Sequence, residues 1–304
     1  MKTIFFNVIM LVGGLIVSIS LNGQTTFSKH SIASPTGPID VATSDVNGDG
    51  FQDILTISYS TGEVAWWENN GQAEFSKHVI KTGMTGGRSV RAADIDGDGD
   101  VDVLATGIDL NRIEWYENNG SQTFTSHAIA TNFMGAHTVE IVDFDQDSDM
   151  DILCSGWNNT ATKSELAWWE NNGSQVFTKH LVSNTLDQSP FIASADFDLD
   201  GDLDLVAADE TPGEVYWYRN NGQMAFEEVT VDASFASAHT LQVGDVDMDG
   251  DPDIMVNSWS GSQAWYENNG LGVFEKHSMQ SLAGAMWIDM GDFDLDGDQD
   301  IIAV

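Results

Sequence analysis

Apolar and polar positions alternate with a period of two in short stretches of this chain, and these give way to brief, wholly apolar runs. In Thr138-Val139-Glu140-Ile141, Val and Ile fall on one side and Thr and Glu on the other, the signature of a strand with one buried face. Runs such as Asp53-Ile54-Leu55 are short and apolar, as expected of a strand covered on both faces. A tryptophan-bearing segment predicts a third strand. An Asn-Gly pair predicts a tight hairpin into a fourth, which reads Phe-x-Lys-His-x-Ile. Beyond the N-terminal apolar segment no stretch shows a helical period.

This four-strand pattern repeats. An acidic segment opens at Asp45, Asp94, Asp143, Asp196, Asp245 and Asp292, at intervals of 47 to 53 residues. Between these recur WWENNG (Trp66 to Gly71), WYENNG (Trp115 to Gly120), WWENNG (Trp168 to Gly173), WYRNNG (Trp217 to Gly222) and WYENNG (Trp265 to Gly270). A Phe-x-x-His unit then ends at His78, His127, His180 and His277, with a divergent FEEV ending at Val229. Four antiparallel strands every ~45–50 residues is the size of one propeller blade. The expected fold is therefore an all-β propeller of four-stranded blades, with a solenoid as the alternative. The chain opens with a fourth strand, Phe27 to Ile32, and stops inside a second strand at Val304. Since propellers close by pairing terminal strands, this order predicts a C-terminally incomplete propeller. Seven blades are expected in the intact protein, with six as the alternative and room for a further domain.

The acidic segments carry the clearest chemistry. Position 1 of each nine-residue loop is the opening aspartate. Position 3 is Asn47, Asp96, Asp145, Asp198, Asp247 or Asp294, and position 5 is Asp49, Asp98, Asp147, Asp200, Asp249 or Asp296. Position 7 is Phe51, Asp100, Asp149, Asp202, Asp251 or Asp298, and position 9 is Asp53, Asp102, Asp151, Asp204, Asp253 or Asp300. Carboxylates at 1, 3, 5 and 9, completed by the backbone carbonyl at 7, suit a hard cation that takes six to eight oxygens. Calcium, about six ions, is the expected cofactor. Magnesium demands stricter octahedral geometry, and an all-oxygen set is unsuited to zinc. An EF-hand would need Glu at position 12, where Thr56, Ala105, Cys154, Ala207, Val256 and Ala303 stand, and helical flanks. Asn47 lowers the charge of the first loop. Ser148 replaces the turn glycine of the third, which is expected to be the weakest site.

With these flanks, the loops resemble the VCBS and FG-GAP repeats of integrin-α-like propellers over residues 27–304. The resemblance implies that calcium sits between strands 1 and 2 of each blade and serves structure rather than chemistry.

Composition narrows the function classes. Eleven Lys and Arg stand against 48 Asp and Glu, a formal charge of -37. Nucleic acid and anionic lipid, which need basic surfaces, are thereby disfavoured. Residues 1–23 combine a basic start with an apolar run and read as a signal peptide, leaving residues 24–304 as the propeller, secreted or at the cell surface, with no membrane span after cleavage. The single cysteine, Cys154, permits no internal disulfide and reads as a small core residue.

Groups present in every blade face different directions, so departures from the repeat are the better guide to a ligand site. Six residues before the loops stand Ile39, Arg88, His137, Pro190, His239 and Met286; six after them stand Tyr59, Ile108, Trp157, Glu210 and Trp259. Both sets lie at strand ends opposite the acidic loops. Tyr59, Arg88, His137, Trp157, His239, Trp259 and Trp287 are therefore candidate ligand-binding residues lining a shallow funnel, suited to a glycan or an extracellular protein. The competing reading is that the tryptophans pack between blades and the histidines cap strands. Three functions stay open: a binding or adhesion module, an enzyme such as a polysaccharide lyase using His137, His239 and Arg88, and a structural spacer. No nucleophile motif of the G-x-S-x-G kind occurs.

Overall fold

The computed structural model describes residues 36–72, 74–157, 163–188, 191–282, 285, 287–293, 297 and 299–303. The expected signal peptide, the opening strand at Phe27, Pro190, Met286, and Asp294, Asp296 and Asp298 lie outside the described residues.

All regular structure among the described residues is strand. The first blade comprises β1 (Pro38–Ser44), β2 (Asp53–Ser58), β3 (Val64–Asn69) and β4 (Phe75–Lys81). The second comprises β5 (Gly87–Ala93), β6 (Asp102–Gly107), β7 (Arg112–Asn118) and β8 (Phe124–Ala130). The third repeat supplies β9 (Ala136–Val142), β10 (Asp151–Gly156), β11 (Leu166–Asn171) and β12 (Phe177–Ser183). The fourth supplies β13 (Phe191–Ala195), β14 (Asp204–Asp209), β15 (Glu214–Asn220) and β16 (Phe226–Asp232). The fifth supplies β17 (Ala238–Gly244), β18 (Asp253–Ser258), β19 (Gln263–Asn268) and β20 (Phe274–Ser278), and a sixth begins with β21 (Ile288–Gly291) and β22 (Asp300–Ala303). Strands follow chain order within each sheet, so the chain meanders and every neighbour is antiparallel.

The burial of each strand follows its composition. Second strands, such as β6, β10, β14 and β18, are buried at every position, which is why they read as unbroken apolar runs. Fourth strands leave nearly all of their residues exposed or half-buried, and Lys77 of β4 and Lys179 of β12 guard a sheet edge. The Asn-Asn-Gly connections are longer than a two-residue hairpin: β3 ends at Asn69 and β4 starts at Phe75. Cys154 is fully buried in β10, the core position its neighbours predicted.

The described residues fall into two compact units. One ends at Ile141 and includes Asn171–Phe177; the other holds Val142–Glu170 and the chain from Thr178 onward. In the first unit, Leu55, Ile57, Val64, Trp66, Met84, Val90 and Tyr116 make a core joining the first two blades. Buried Asp40 of β1 reinforces it by accepting from the Ser89 hydroxyl (3.0 Å), the Val90 amide (3.0 Å) and Arg91 (2.8 Å) of β5. In the second unit, Phe191, Phe197, Val206, Trp217, Leu241, Ile254 and Tyr266 do the same for the fourth and fifth blades.

Candidate functional site

Each acidic loop joins the first and second strands of its blade, and all are wired alike. The position 1 carboxylate accepts the amide of position 6: Gly50 to Asp45 (2.8 Å), Gly99 to Asp94 (2.9 Å), Gly201 to Asp196 (2.9 Å) and Gly250 to Asp245 (3.0 Å). Position 6 must turn with positive φ, 88° at Gly50 and 95° at Gly99, a conformation that costs a side chain energy. Ser148 adopts it nonetheless, at φ 80°, and still donates to Asp143 (3.1 Å). The third loop thus keeps the common geometry with a side chain at the turn position.

Position 9 is the deepest part of the loop. Asp53, Asp102, Asp151, Asp204 and Asp253 are fully buried at the head of the second strand. Asp102 accepts the Ile95 amide on one oxygen (3.1 Å) and the Asn118 amide on the other (2.7 Å). Asp53, Asp204 and Asp253 repeat both bonds with Val46 and Asn69, Phe197 and Asn220, and Val246 and Asn268. Burial pushes Asp53, Asp102, Asp204 and Asp253 up to about 6, against the opposing pull of these amides.

Carboxylate oxygens of positions 1, 3 and 9 converge within 4.8 Å of one another in four loops: Asp94, Asp96 and Asp102; Asp143, Asp145 and Asp151; Asp196, Asp198 and Asp204; and Asp245, Asp247 and Asp253. Positions 5 and 7 stand apart from these clusters. The position 5 carboxylate accepts the amide of position 7, as Asp98 does from Asp100 (2.9 Å). The position 7 side chain lies over the Asn-Gly turn: a Cβ built on Gly120 would sit 2.4 Å from Asp100 Oδ2, and one on Gly222 2.4 Å from Asp202 Oδ2. That turn needs glycine for contact as well as for conformation.

The clusters fit a cation. Asp143 Oδ1 is buried without a hydrogen-bond donor, a costly state for a carboxylate that a metal ion would relieve. Asp96 and Asp145 are raised by burial and further by neighbouring carboxylates, Glu117 and Glu170 among them.

Two partners of the loops lie in the W-x-E-N-N-G segment, which in sequence showed only a strand and its turn. Its first asparagine staples the loop. Asn118 donates to Val101 O of its own loop (3.1 Å) and to Val46 O of the preceding blade's loop (3.3 Å). Asn268 does likewise with Pro252 O (3.1 Å) and Phe197 O (2.8 Å). The glutamate beside it pairs with the histidine of the fourth strand: Glu68 with His78 (2.8 Å), Glu117 with His127 (2.7 Å), Glu170 with His180 (2.7 Å) and Glu267 with His277 (2.6 Å). Each of these histidines stacks on the tryptophan of its blade, centroids 4.5–4.6 Å apart. A cleft of ≈ 460 Å³ opens beside the second loop, lined by Asp96, Trp115, Glu117, His127, Gln175 and Phe177.

The fourth blade departs from this plan twice. Arg219 stands where the others carry glutamate, and Val229 where they carry histidine. Arg219 Nε lies 2.6 Å from Asp198 Oδ2, whose side chain is 6% exposed. The position 3 carboxylate of that loop therefore already faces a fixed positive charge.

The predicted funnel residues sort into the two units. In the first, Arg88 Nε donates to His137 Nε2 (2.5 Å), and His137, buried, places Nδ1 3.1 Å from the Thr138 hydroxyl. That arrangement occupies the imidazole lone pair instead of offering it as a base. Tyr59 is exposed, its amide donating to Gly37 O (3.1 Å). In the second unit Trp157 is half-buried. His239 and exposed Trp259 meet with ring centroids 3.9 Å apart and planes tilted at 39°, and Phe191 touches both His239 and Trp287 edge-on at 5.1 Å. The sequence reading missed Glu210, which accepts from both His239 Nδ1 and Trp259 Nε1.

A family model described as FG-GAP-like repeat matches residues 45–105, 94–154, 196–256 and 245–303. No curated protein matches the sequence significantly. Among solved structures, a protein from Lactobacillus plantarum is similar at TM-score 0.58 and 11% identity, covering 86% of this chain and 76% of that one. The V. cholerae biofilm matrix protein Bap1 is similar at TM-score 0.51 and 18% identity, over 84% of this chain and 41% of that one. The Aleuria aurantia lectin, in complex with Fucalpha1-6GlcNAc, is similar at TM-score 0.51 and 11% identity, over 83% of this chain and 91% of that one. At these identities the likeness is one of fold: an all-β propeller of four-stranded blades. No helix among the described residues is long and apolar enough to cross a membrane.

Proposed function

Because the chain belongs to the family of FG-GAP-like repeat proteins, which its repeats match over more than half its length, we propose that it is an exported calcium-binding propeller acting as a binding module for a glycan or another surface protein. The observation that carries the reading is the recurrence of one carboxylate cluster, built from positions 1, 3 and 9, in four separate blades. Calcium would supply the positive charge that these oxygens lack and tie the first strand of each blade to the second. The asparagine staples extend that tie to the preceding blade, so each filled loop stiffens a blade and its neighbour together. Repeated residues are thereby committed to the scaffold, and recognition falls to the strand-end residues that differ between blades. The N-terminal signal-peptide pattern and the acidic surface, unsuited to nucleic acid, agree with an extracellular role. A binding role also accords with the likeness to a biofilm matrix protein and a lectin.

The test is an array of purified glycans and an array of purified extracellular proteins, each probed with the chain in calcium and in excess chelator. Retention that calcium supports and chelator abolishes, on either array, is the expected result. Equal signals with and without calcium, or none on both arrays, would overturn the proposal.

A further inference from the structure

Resting on the binding-module reading, we infer that Trp259, Glu210 and His239 of the second unit form a subsite for a neutral pyranose sugar. Three elements converge there: the turn after β14 brings Glu210, the turn after β18 brings Trp259, and β17 brings His239. The Glu210 side chain is 13% exposed, and its Oε1 accepts the Trp259 indole N–H at 2.5 Å and bonds His239 Nδ1. His239 is buried, its ring centroid 3.9 Å from that of Trp259 with the planes tilted at 39°, and it lies edge-on against Phe191.

The consequence is an indole fixed in orientation yet 46% exposed. A tryptophan serving only the core would turn its ring inward, since exposed aromatic area forfeits the gain of burial. Here the half-buried carboxylate grips the polar edge of the ring and His239 backs it, leaving aromatic surface toward solvent. Glu210 is particular to the fourth blade; the corresponding positions elsewhere are Tyr59, Ile108, Trp157 and Trp259. Both donors fall on Oε1, so Oε2 takes part in neither bond.

A pyranose answers both features. Its C–H face stacks on an aromatic ring, and an adjacent hydroxyl donates to a carboxylate oxygen. An acidic sugar would meet Glu210 on a chain of formal charge -37, which disfavours it. A bare ammonium ligand is less well served, because two N–H groups already offset the charge of Glu210.

The test uses the full chain in calcium on an array of neutral, amino and acidic saccharides, followed by titration of the best neutral binder against variants. Trp259→Ala should weaken binding about tenfold or more while the melting temperature stays near wild type. Trp259→Phe, which keeps an aromatic face, should retain most of the affinity. Glu210→Gln, whose amide can still accept from Trp259 but presents a donor at the second position, should also lose about tenfold, the worth of one well-made polar contact. Should Trp259→Ala lower the melting temperature, Trp259→Phe and Glu210→Gln decide the matter. Failure to retain any neutral saccharide, or wild-type affinity in Glu210→Gln, overturns the subsite. If the chain then still binds a purified protein in a calcium-dependent way, the module reading stands and only the sugar subsite falls; silence on both arrays removes both.

Discussion

Arg219 offers the sharpest test of how the acidic loops are balanced. The second, third and fifth loops each bring five aspartates together with a glutamate from the adjacent strand; the fourth brings five aspartates and Arg219. The fourth loop is thus two charges less negative than those three. Arg219→Gln removes the built-in cation and leaves Asp198, 6% exposed, among its fellow carboxylates. A unit-charge pair at about 4 Å is worth about 4 kcal/mol at an effective dielectric of about 20. The arginine side chain is 46% exposed, and screening reduces the figure to about 1.5 kcal/mol. For a chain of this size that lowers the melting temperature of the calcium-free protein by about 3 °C.

Calcium changes the outcome, because the ion and the guanidinium answer the same carboxylate. An ion bound at the fourth loop supplies the charge the variant lacks, so the deficit should vanish at saturating calcium. By linkage, the calcium affinity of that loop should rise by about tenfold, the equivalent of about 1.4 kcal/mol. Calorimetric melts of wild type and Arg219→Gln, in chelator and in millimolar calcium, measure both quantities. The expected pattern is a deficit in chelator only, with a larger calcium-induced rise in the variant. An equal deficit under both conditions would refute the argument and reduce Arg219 to the packing partner suggested by its position over the Trp217 ring, 6.0 Å from the centroid.

Three further outcomes are expected. Elemental analysis of protein dialysed against calcium should find about six ions per chain, one for each acidic loop of the sequence; one or two would contradict the equivalence of the loops. Ser148→Gly should raise the melting temperature by about 2 °C, because a side chain at φ 80° costs about 1 kcal/mol relative to glycine, and no change would show the serine to be unstrained. In the calcium-free protein, Asp53, Asp102, Asp204 and Asp253 sit at about 6 in the folded state against 3.8 unfolded. The folded chain therefore binds the extra protons: their contribution is full below about pH 4 and is lost as pH rises through 6, so in chelator the melt should be higher at pH 5 than at pH 7, the reverse of the order expected in calcium, where protons compete with the ion.

What the sequence disclosed and what it withheld follow from the range over which each constraint acts. The blade period, the loop positions and the buried second strands were legible because an acidic loop folded onto its own amides needs carboxylates at fixed spacing and a covered strand needs an apolar run. Both constraints act within about ten residues. The asparagine staple was not legible. Asn118 reaches Val46 O across 72 residues of chain, and in sequence the segment shows only a turn-forming pair. Glu210 was hidden differently: it stood in the right column of strand-end residues, but an acidic residue in an acidic chain drew no notice beside the tryptophans. Only its bonds to His239 and Trp259 single it out.

Divergence between repeats was the signal most easily misread. FEEV in the fourth blade looks like decay of the Phe-x-Lys-His unit, and WYRNNG like a harmless change of charge. Their coincidence has a physical cause. In the other complete blades the histidine stacks on tryptophan because the neighbouring glutamate holds its Nε2. Once arginine replaces that glutamate and turns to Asp198, a histidine opposite Trp217 would lose its acceptor and face a cation. Valine at 229, paired with Trp217 across the strands, keeps the apolar contact without either penalty. Loss of the histidine is then a consequence of the arginine, and the two substitutions amount to one change in how a blade neutralises its acidic loop.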